Sequence, residues 1–217
     1  MLKILKNILF KNSPCRALQM IESQHHTLSG ECLEIGNIEF NKKSFFHNLI
    51  LLKNCKLYFA DMTSLKKKDY FIINLEKKNR LKKKFDTIIV FNVFEHVYDL
   101  NNAIKEIKKI LKIDGRIIIS TPFIYRYHGA PEDFCRDTLD IYRNLSTFHN
   151  LKLIYKKNLG TGPFFASYSV LHNILNKAYP SNIFFLLICL LFDKFLSIFF
   201  KNLNSIYSIC NFVILKK

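Results

Sequence analysis

Apolar and polar positions recur along this chain with two periods, and the switches between them mark out its elements. Residues 2–10 put Leu2, Leu5, Ile8 and Leu9 on one helical face, with Lys3, Lys6 and Asn7 off it. Ser13 followed by Pro14 predicts an N-cap and a first helical turn, opening a helix to about Gln24 with Ala17, Leu18 and Ile21 inward. The run ECLEIG, residues 31–36, predicts a strand ending in a glycine turn. Residues 45–52 are apolar and predict a helix. KLYFADM, residues 56–62, predicts a second strand with Asp61 at its tip, and residues 69–75 a short third one. EKKNRLKKK is a charged, solvated connector. Residues 86–91 are continuously β-branched and aromatic, the pattern of a strand buried on both faces. Residues 101–112 return to the helical period, with Ala103, Ile104, Ile107, Ile110 and Leu111 on one face and lysines on the other. Asp114 and Gly115 then turn the chain into a fifth strand, RIIISTPF.

The third quarter repeats the theme, with a helix at 139–148 and a strand at 151–159. Gly160-Thr161-Gly162-Pro163 breaks the chain before a helix at 164–178. Residues 183–200 are the most hydrophobic piece, close to bilayer-spanning length, but Asp193 and Lys194 interrupt them. Three readings stay open there: a buried helix, an interfacial helix on a membrane, or a self-association surface. The terminal SIYSICNFVILKK predicts a closing strand. Strands alternating with amphipathic helices describe a doubly wound, mostly parallel α/β sheet.

At 217 residues, 49% hydrophobic and 23% charged, the chain suits one globular domain. Its expected parts are a helical segment at 1–29, a core at 30–160 and an apolar helical part with the closing strand at 161–217. The net charge of +16 admits nucleic acid, an anionic membrane or anionic substrates as partners. The lysines are scattered, as the codon bias of an AT-rich genome also produces, and no aromatic residues interleave with those of the 101–112 helix, so nucleic-acid binding is disfavoured. None of the six cysteines forms a C-x-x-C pair or a cluster with metal-ligand spacing, which predicts a reducing, cytoplasmic setting and no metal.

Candidate chemistry gathers in three places. Gly36 ends the first strand, where backbone N–H groups can approach a nucleotide-like ligand. Asp61, 25 residues on, is either an acceptor for ribose hydroxyls or a solvated turn aspartate. NVFEHVYD follows the buried strand at the end where ligands bind in open α/β sheets. The loop IYRYHGAPEDFCRDT holds Tyr125, Tyr127, His128, Glu132, Asp133 and Arg136. It is either a substrate-contacting loop or a capping network in which Asp133 pairs with Arg136.

From ECLEIG to the last strand the order resembles the class I S-adenosylmethionine-dependent methyltransferases. The span FDTIIVFNVFEHVYDLNNAIKEIKKILKIDGRIIISTPF resembles that family's strand, EHV-D turn, helix with A-x-x-E-x-x-x-x-L, K-P-G-G turn and strand ending in TPF. YRYHGAPEDFCRDT resembles the H-x-x-P-x-D-F/Y-x-R-x-T loop of a subgroup encoded with cell-surface polysaccharide enzymes. The resemblance implies a Rossmann-like seven-stranded sheet with an antiparallel closing strand, and S-adenosylmethionine as cofactor. Glu34 and Gly36 match its first cofactor motif and Asp61 its ribose-binding acid. Asn74 and Leu75 stand beside the adenine position. Asn92, Glu95 and His96 match the turn lining the cofactor pocket. Tyr125, Tyr127 and Arg136 fall on the substrate side, with His128 as first and Asp133 as second candidate base. The resemblance implies methyl transfer to an acceptor that the sequence does not identify, with a small molecule and a glycan or lipid-linked group both open. One departure stands out: Asn37, Ile38, Glu39 and Phe40 occupy positions where the family carries further glycines. A catalytically inactive relative acting as a binding protein at a membrane surface or glycan-assembly complex is therefore the alternative.

Overall fold

The computed structural model describes residues 1–9, 12–37, 44–63, 69–129, 132–175 and 181–217, Ser181 by its backbone alone. The side chains at 38–40, most of the polar loop at 64–69, Pro131 and the end of the helix expected at 164–178 lie outside the described residues.

Strands β1 (Thr27–Leu28) and β3 (Ile50–Leu51) form a small parallel pair. The other strands are β2 (Glu31–Ile35), β4 (Lys56–Asp61), β5 (Tyr70–Ile72), β6 (Phe85–Phe91), β7 (Leu111–Ser120), β8 (Lys152–Leu159) and β9 (Cys210–Lys216). They make a seven-stranded sheet in the order β5-β4-β2-β6-β7-β9-β8. Pairing is parallel from β5 through β7, and β9 runs antiparallel to both β7 and β8. The Rossmann-like sheet with its antiparallel closing strand is thus as expected.

Helices α1 (Leu2–Leu9), α2 (Pro14–Ser23), α5 (Pro163–Leu175) and α6 (Ser181–Phe199) cover one face, and α3 (Leu100–Lys109) and α4 (Leu139–Phe148) the other. A short α7 (Leu203–Ile206) leads into β9. The central strands β6, β7 and β9 carry apolar runs because alternate residues feed two cores. Ile89, Phe91, Ile118, Phe212 and Ile214 pack on the first face, while Ile88, Val90, Ile117, Ile119, Val213 and Leu215 pack on the second.

Two predicted helices are corrected. Residues 45–52 form a 3-10 turn, Phe45–Asn48, and then β3. The Ser44 hydroxyl caps this turn by accepting from the Phe46 N–H, and Phe45 and Phe46 are buried against Phe91 and Phe59. Strand pairing with β1 takes the residues that helical continuation needed. The helix at 101–112 stops at Lys109, because Leu111 already pairs with Phe85. Thr87 pairs with Arg116, so residues 112–115 bulge out of β7, with Asp114 at φ +61°.

Asp193 also reads differently in three dimensions. It is 1% exposed and accepts from Thr161 Oγ1 at 2.6 Å, Phe164 N at 2.9 Å and Phe165 N at 3.0 Å. The carboxylate caps the first turn of α5 from a neighbouring helix, a position favoured for a negative charge. Leu186, Cys189 and Leu190 pack inward, while Phe184, Leu191, Phe192, Phe195, Ile198 and Phe199 remain exposed. By length and composition 182–199 is apolar enough to cross a membrane, and 28% of it is buried. The segment after it returns to the sheet as β9, between β7 and β8.

Candidate active site

The chain runs outward from β2 through β4 to β5, then returns to β6 on the other side of β2. That reversal opens a crevice at the C-terminal ends of the parallel strands, where α/β sheets bind ligands. A cleft of about 400 Å³ lies there. Gly36, Asp61, Asn74, Leu75, Asn92 and His96, all expected at a cofactor site, line it. Ile73, Val93, Val97, Glu76 and Glu132 join them without having been singled out for it. A signal existed for most: Ile73 and Glu76 flank Asn74 and Leu75, and Val93 and Val97 bracket the Glu95-His96 pair.

Gly36 is required by its surroundings. Its φ is +88°, and a Cβ there would stand 2.5 Å from Val93 Cγ2. The glycine keeps the floor of the cleft open and lets β2 and the β6 turn approach closely. Asp61 forms a turn at the rim, its Oδ1 accepting from Met62 N at 2.6 Å and Thr63 N at 3.4 Å. Asn74 Oδ1 accepts from Glu76 N, and Glu76 in turn accepts from Tyr98 N, which ties the β5 and β6 walls together. Asn92 has φ +54° at the end of β6. Its side-chain amide pairs with that of Gln19: Gln19 Nε2 donates to Oδ1 at 2.7 Å, and Asn92 Nδ2 donates to Gln19 Oε1 at 3.0 Å. Helix α2 is locked against the β6 turn by this exchange.

Two expected cofactor residues do not line the cleft. Glu34 is buried beneath the glycine turn, where its carboxylate accepts from Ser44 Oγ at 2.5 Å and Phe45 N at 3.0 Å. Burial raises its pKa against those bonds. It pins the 44–48 segment instead of facing a ligand. Glu95 is 1% exposed, behind the cleft, and neither carboxylate oxygen has a hydrogen-bond partner among the described residues. Burial pushes its pKa up to about 8.

The loop after β7 is stitched to the Glu95 turn. Phe134 N donates to the Glu95 carbonyl at 2.7 Å, and the His96 ring Nδ1 donates to the Glu132 carbonyl. These bonds bring His128 beside the turn, with its Nε2 3.9 Å from Glu95 Oε1 and its ring 5.0 Å from that of His96. The Tyr125 ring is half-buried and packs on His128 at 5.0 Å. Tyr127 is 74% exposed and projects from the loop.

Asp133 and Arg136 correct the sequence reading. The Arg136 guanidinium binds the Asp133 carboxylate through both terminal nitrogens and also donates to the Cys135 and Arg126 carbonyls. Asp133 further accepts from the His128 N–H at 2.8 Å. The Arg136 hydrogen bonds hold the Asp133 pKa well below the usual carboxylate range. A carboxylate so engaged is a poor proton acceptor, and this arginine's terminal nitrogens are occupied. The pair builds the loop, as the capping alternative described.

Residues 38–138 match the sequence profile described as a methyltransferase domain. Coclaurine N-methyltransferase, solved with N-methylheliamine and S-adenosylhomocysteine, superposes at a TM-score of 0.56 with 12% identity, over 94% of this chain and 73% of that one. This is the class I methyltransferase fold. An S-adenosylmethionine-dependent methyltransferase from Mesorhizobium loti aligns at a TM-score of 0.53 and 11% identity, over 93% of this chain and 96% of that one. The cyclase SpnF aligns at 0.53 and 10%, over 94% and 81%. No curated protein matches the sequence. The cleft described above fits the expected cofactor, S-adenosylmethionine. It joins a glycine that a Cβ would crowd, a rim aspartate and an apolar wall of Ile73, Leu75, Val93 and Val97.

Proposed function

We propose that this protein transfers a methyl group from S-adenosylmethionine to a small-molecule, glycan or lipid-linked acceptor. The observation that carries this reading is the cleft at the strand reversal, with Gly36 as its floor and Asp61 at its rim. Asp61 receives the vicinal hydroxyls of the ribose, and Ile73, Leu75 and Val97 hold the flat base. When bound, the cofactor supplies a methyl group activated by a sulfonium. The chain's task is alignment and exclusion of water, which residues 132–134 serve by bonding to the Glu95–His96 turn. His128 stands at the acceptor end and handles the acceptor's proton, while Asp133 positions it. The loop's likeness to the polysaccharide-associated subgroup favours a sugar hydroxyl as acceptor.

Calorimetry with S-adenosylhomocysteine tests the core of this reading. Binding in the micromolar range, weakened at least tenfold by Asp61→Ala, is expected. Absence of heat from folded protein refutes it. His128→Ala is expected to lower turnover with labelled S-adenosylmethionine while leaving S-adenosylhomocysteine affinity unchanged. One observation favours the second reading, an inactive binding protein. The N–H groups of both Gly36 and Asn37 donate to the Ala60 carbonyl, at 2.8 and 3.3 Å, and are withdrawn from ligand contact. In either case the exposed phenylalanines of α6 are proposed to rest on the cytoplasmic membrane surface. Sedimentation with anionic vesicles, lost in Phe195→Asp, checks this.

A further inference from the structure

We propose that Glu95, His96 and His128 bind one divalent first-row transition-metal ion beside the cleft. Their three ligand atoms lie within 4.8 Å of one another. Both imidazole Nε2 atoms face the same carboxylate oxygen, Glu95 Oε1, at 3.9 Å each. Ligands of such an ion sit about 2.0–2.2 Å from it, and so about 3 Å from each other. Closing the gap takes side-chain shifts of about 1 Å. The two histidines are partly exposed, which leaves them room to move.

The surroundings match a ligating site more closely than a chance cluster. The His96 Nδ1 donates to a carbonyl oxygen, which can only accept, so the lone pair of the neutral ring is on Nε2. The His128 Nδ1 lies 3.3 Å from Asp133 Oδ2 without hydrogen-bond geometry, and Asp133, anchored by Arg136, accepts from the His128 backbone N–H. A backbone carbonyl hydrogen-bonded behind the His96 imidazole is the kind of support that orients metal-bound histidines. Glu95 supplies the independent sign. A carboxylate 1% exposed, with neither oxygen hydrogen-bonded among the described residues, lacks a partner that burial demands. A cation between Glu95 and the two rings supplies one.

The donor set names the ligand class. Two imidazole nitrogens and one carboxylate suit zinc, iron(II), cobalt, nickel or manganese, whereas magnesium and calcium favour oxygen donors. Three protein ligands leave further positions for water or a hydroxyl oxygen. Resting on the methyl-transfer reading, the ion would take an acceptor hydroxyl there and lower its pKa, its proton passing to solvent, with His128 as ligand in place of base.

The test uses the full-length protein after chelator treatment. Cobalt(II) is titrated by visible absorption and zinc(II) by calorimetry. One equivalent is expected to bind. His96→Ala, His128→Ala and the isosteric Glu95→Gln should each weaken binding at least tenfold, whereas His149→Ala, on another face, should not. Melting curves confirm that the variants fold. No binding by folded wild type, or unchanged affinity in both histidine variants, overturns the proposal. S-adenosylhomocysteine binding is measured on the same sample. Metal binding without it sinks the methyl-transfer reading alone, and the converse sinks the metal site alone.

Discussion

Replacing Gly36 by alanine probes the floor of the cleft directly. Two costs arise, and the geometry separates them. At φ +88° an L-residue is strained by about 1–2 kcal/mol. The new Cβ would also stand 2.5 Å from Val93 Cγ2. Valine is stiff about χ1 and cannot swing its methyl aside cheaply. Overpacking of this kind costs about 1–3 kcal/mol. Gly36→Ala should therefore destabilise by about 2–5 kcal/mol, a fall in Tm of about 4–20 °C for a domain this size. Val93→Ala alone removes apolar contact worth about 1–2 kcal/mol. In the double variant the steric part vanishes and the backbone part stays. A coupling of about 1–3 kcal/mol in favour of the double variant is expected. Thermal and urea denaturation of the wild type and the three variants measure it. If Gly36→Ala melts within 2 °C of wild type, or if the penalties simply add, the close approach of β2 to the β6 turn is refuted.

Asp193→Ala would strand the Thr161 hydroxyl and two N–H groups of α5, and should cost about 2–3 kcal/mol in urea denaturation. A surface-type loss below about 0.5 kcal/mol would contradict the cap. Glu22 governs part of the acid limb of stability. Burial raises its pKa, but the His26 ring 3.8 Å away and hydrogen bonds from Lys157 and Tyr155 outweigh this and hold it at about 2, below its ordinary 4.5. A depressed carboxylate stabilises the fold fully above its unfolded pKa, and this is lost as pH falls from 4.5 towards 2. Allowing for the exposure of Lys157, the contribution is about 2 kcal/mol. Glu22→Gln should flatten stability against pH across that window, measured by urea denaturation, and an unchanged slope would show that the cluster is not formed.

Much of this was readable because period and burial are linked. The strands β6, β7 and β9 carry uninterrupted apolar runs, which only a sheet buried on both faces demands. Helix α4 coincides with its predicted span, and Asp61 closes β4 as expected. The failures share a cause. Residues 45–52 look helical by composition, yet the Ser44 cap and the pairing with β1 decide them. Glu34 sits in a recognisable motif, but only the fold turns it under Ser44 and Phe45. Asp193 looks like a break in an apolar helix until α5 arrives on top of it.

By itself the sequence determined the alternation of elements and the burial of β6 on both faces, and it offered the tips of β2, β4 and β6 as candidate places for chemistry. These follow from local periodicity and turn residues, which act over a few positions. The tertiary structure alone decided the partners of the charged groups. Arg136 is spent on Asp133, Glu34 on the 44–45 backbone, and Glu95 is brought beside a histidine 33 residues away in sequence. A carboxylate's role depends on which donors surround it and how much water is excluded, and both are properties of contacts between distant segments.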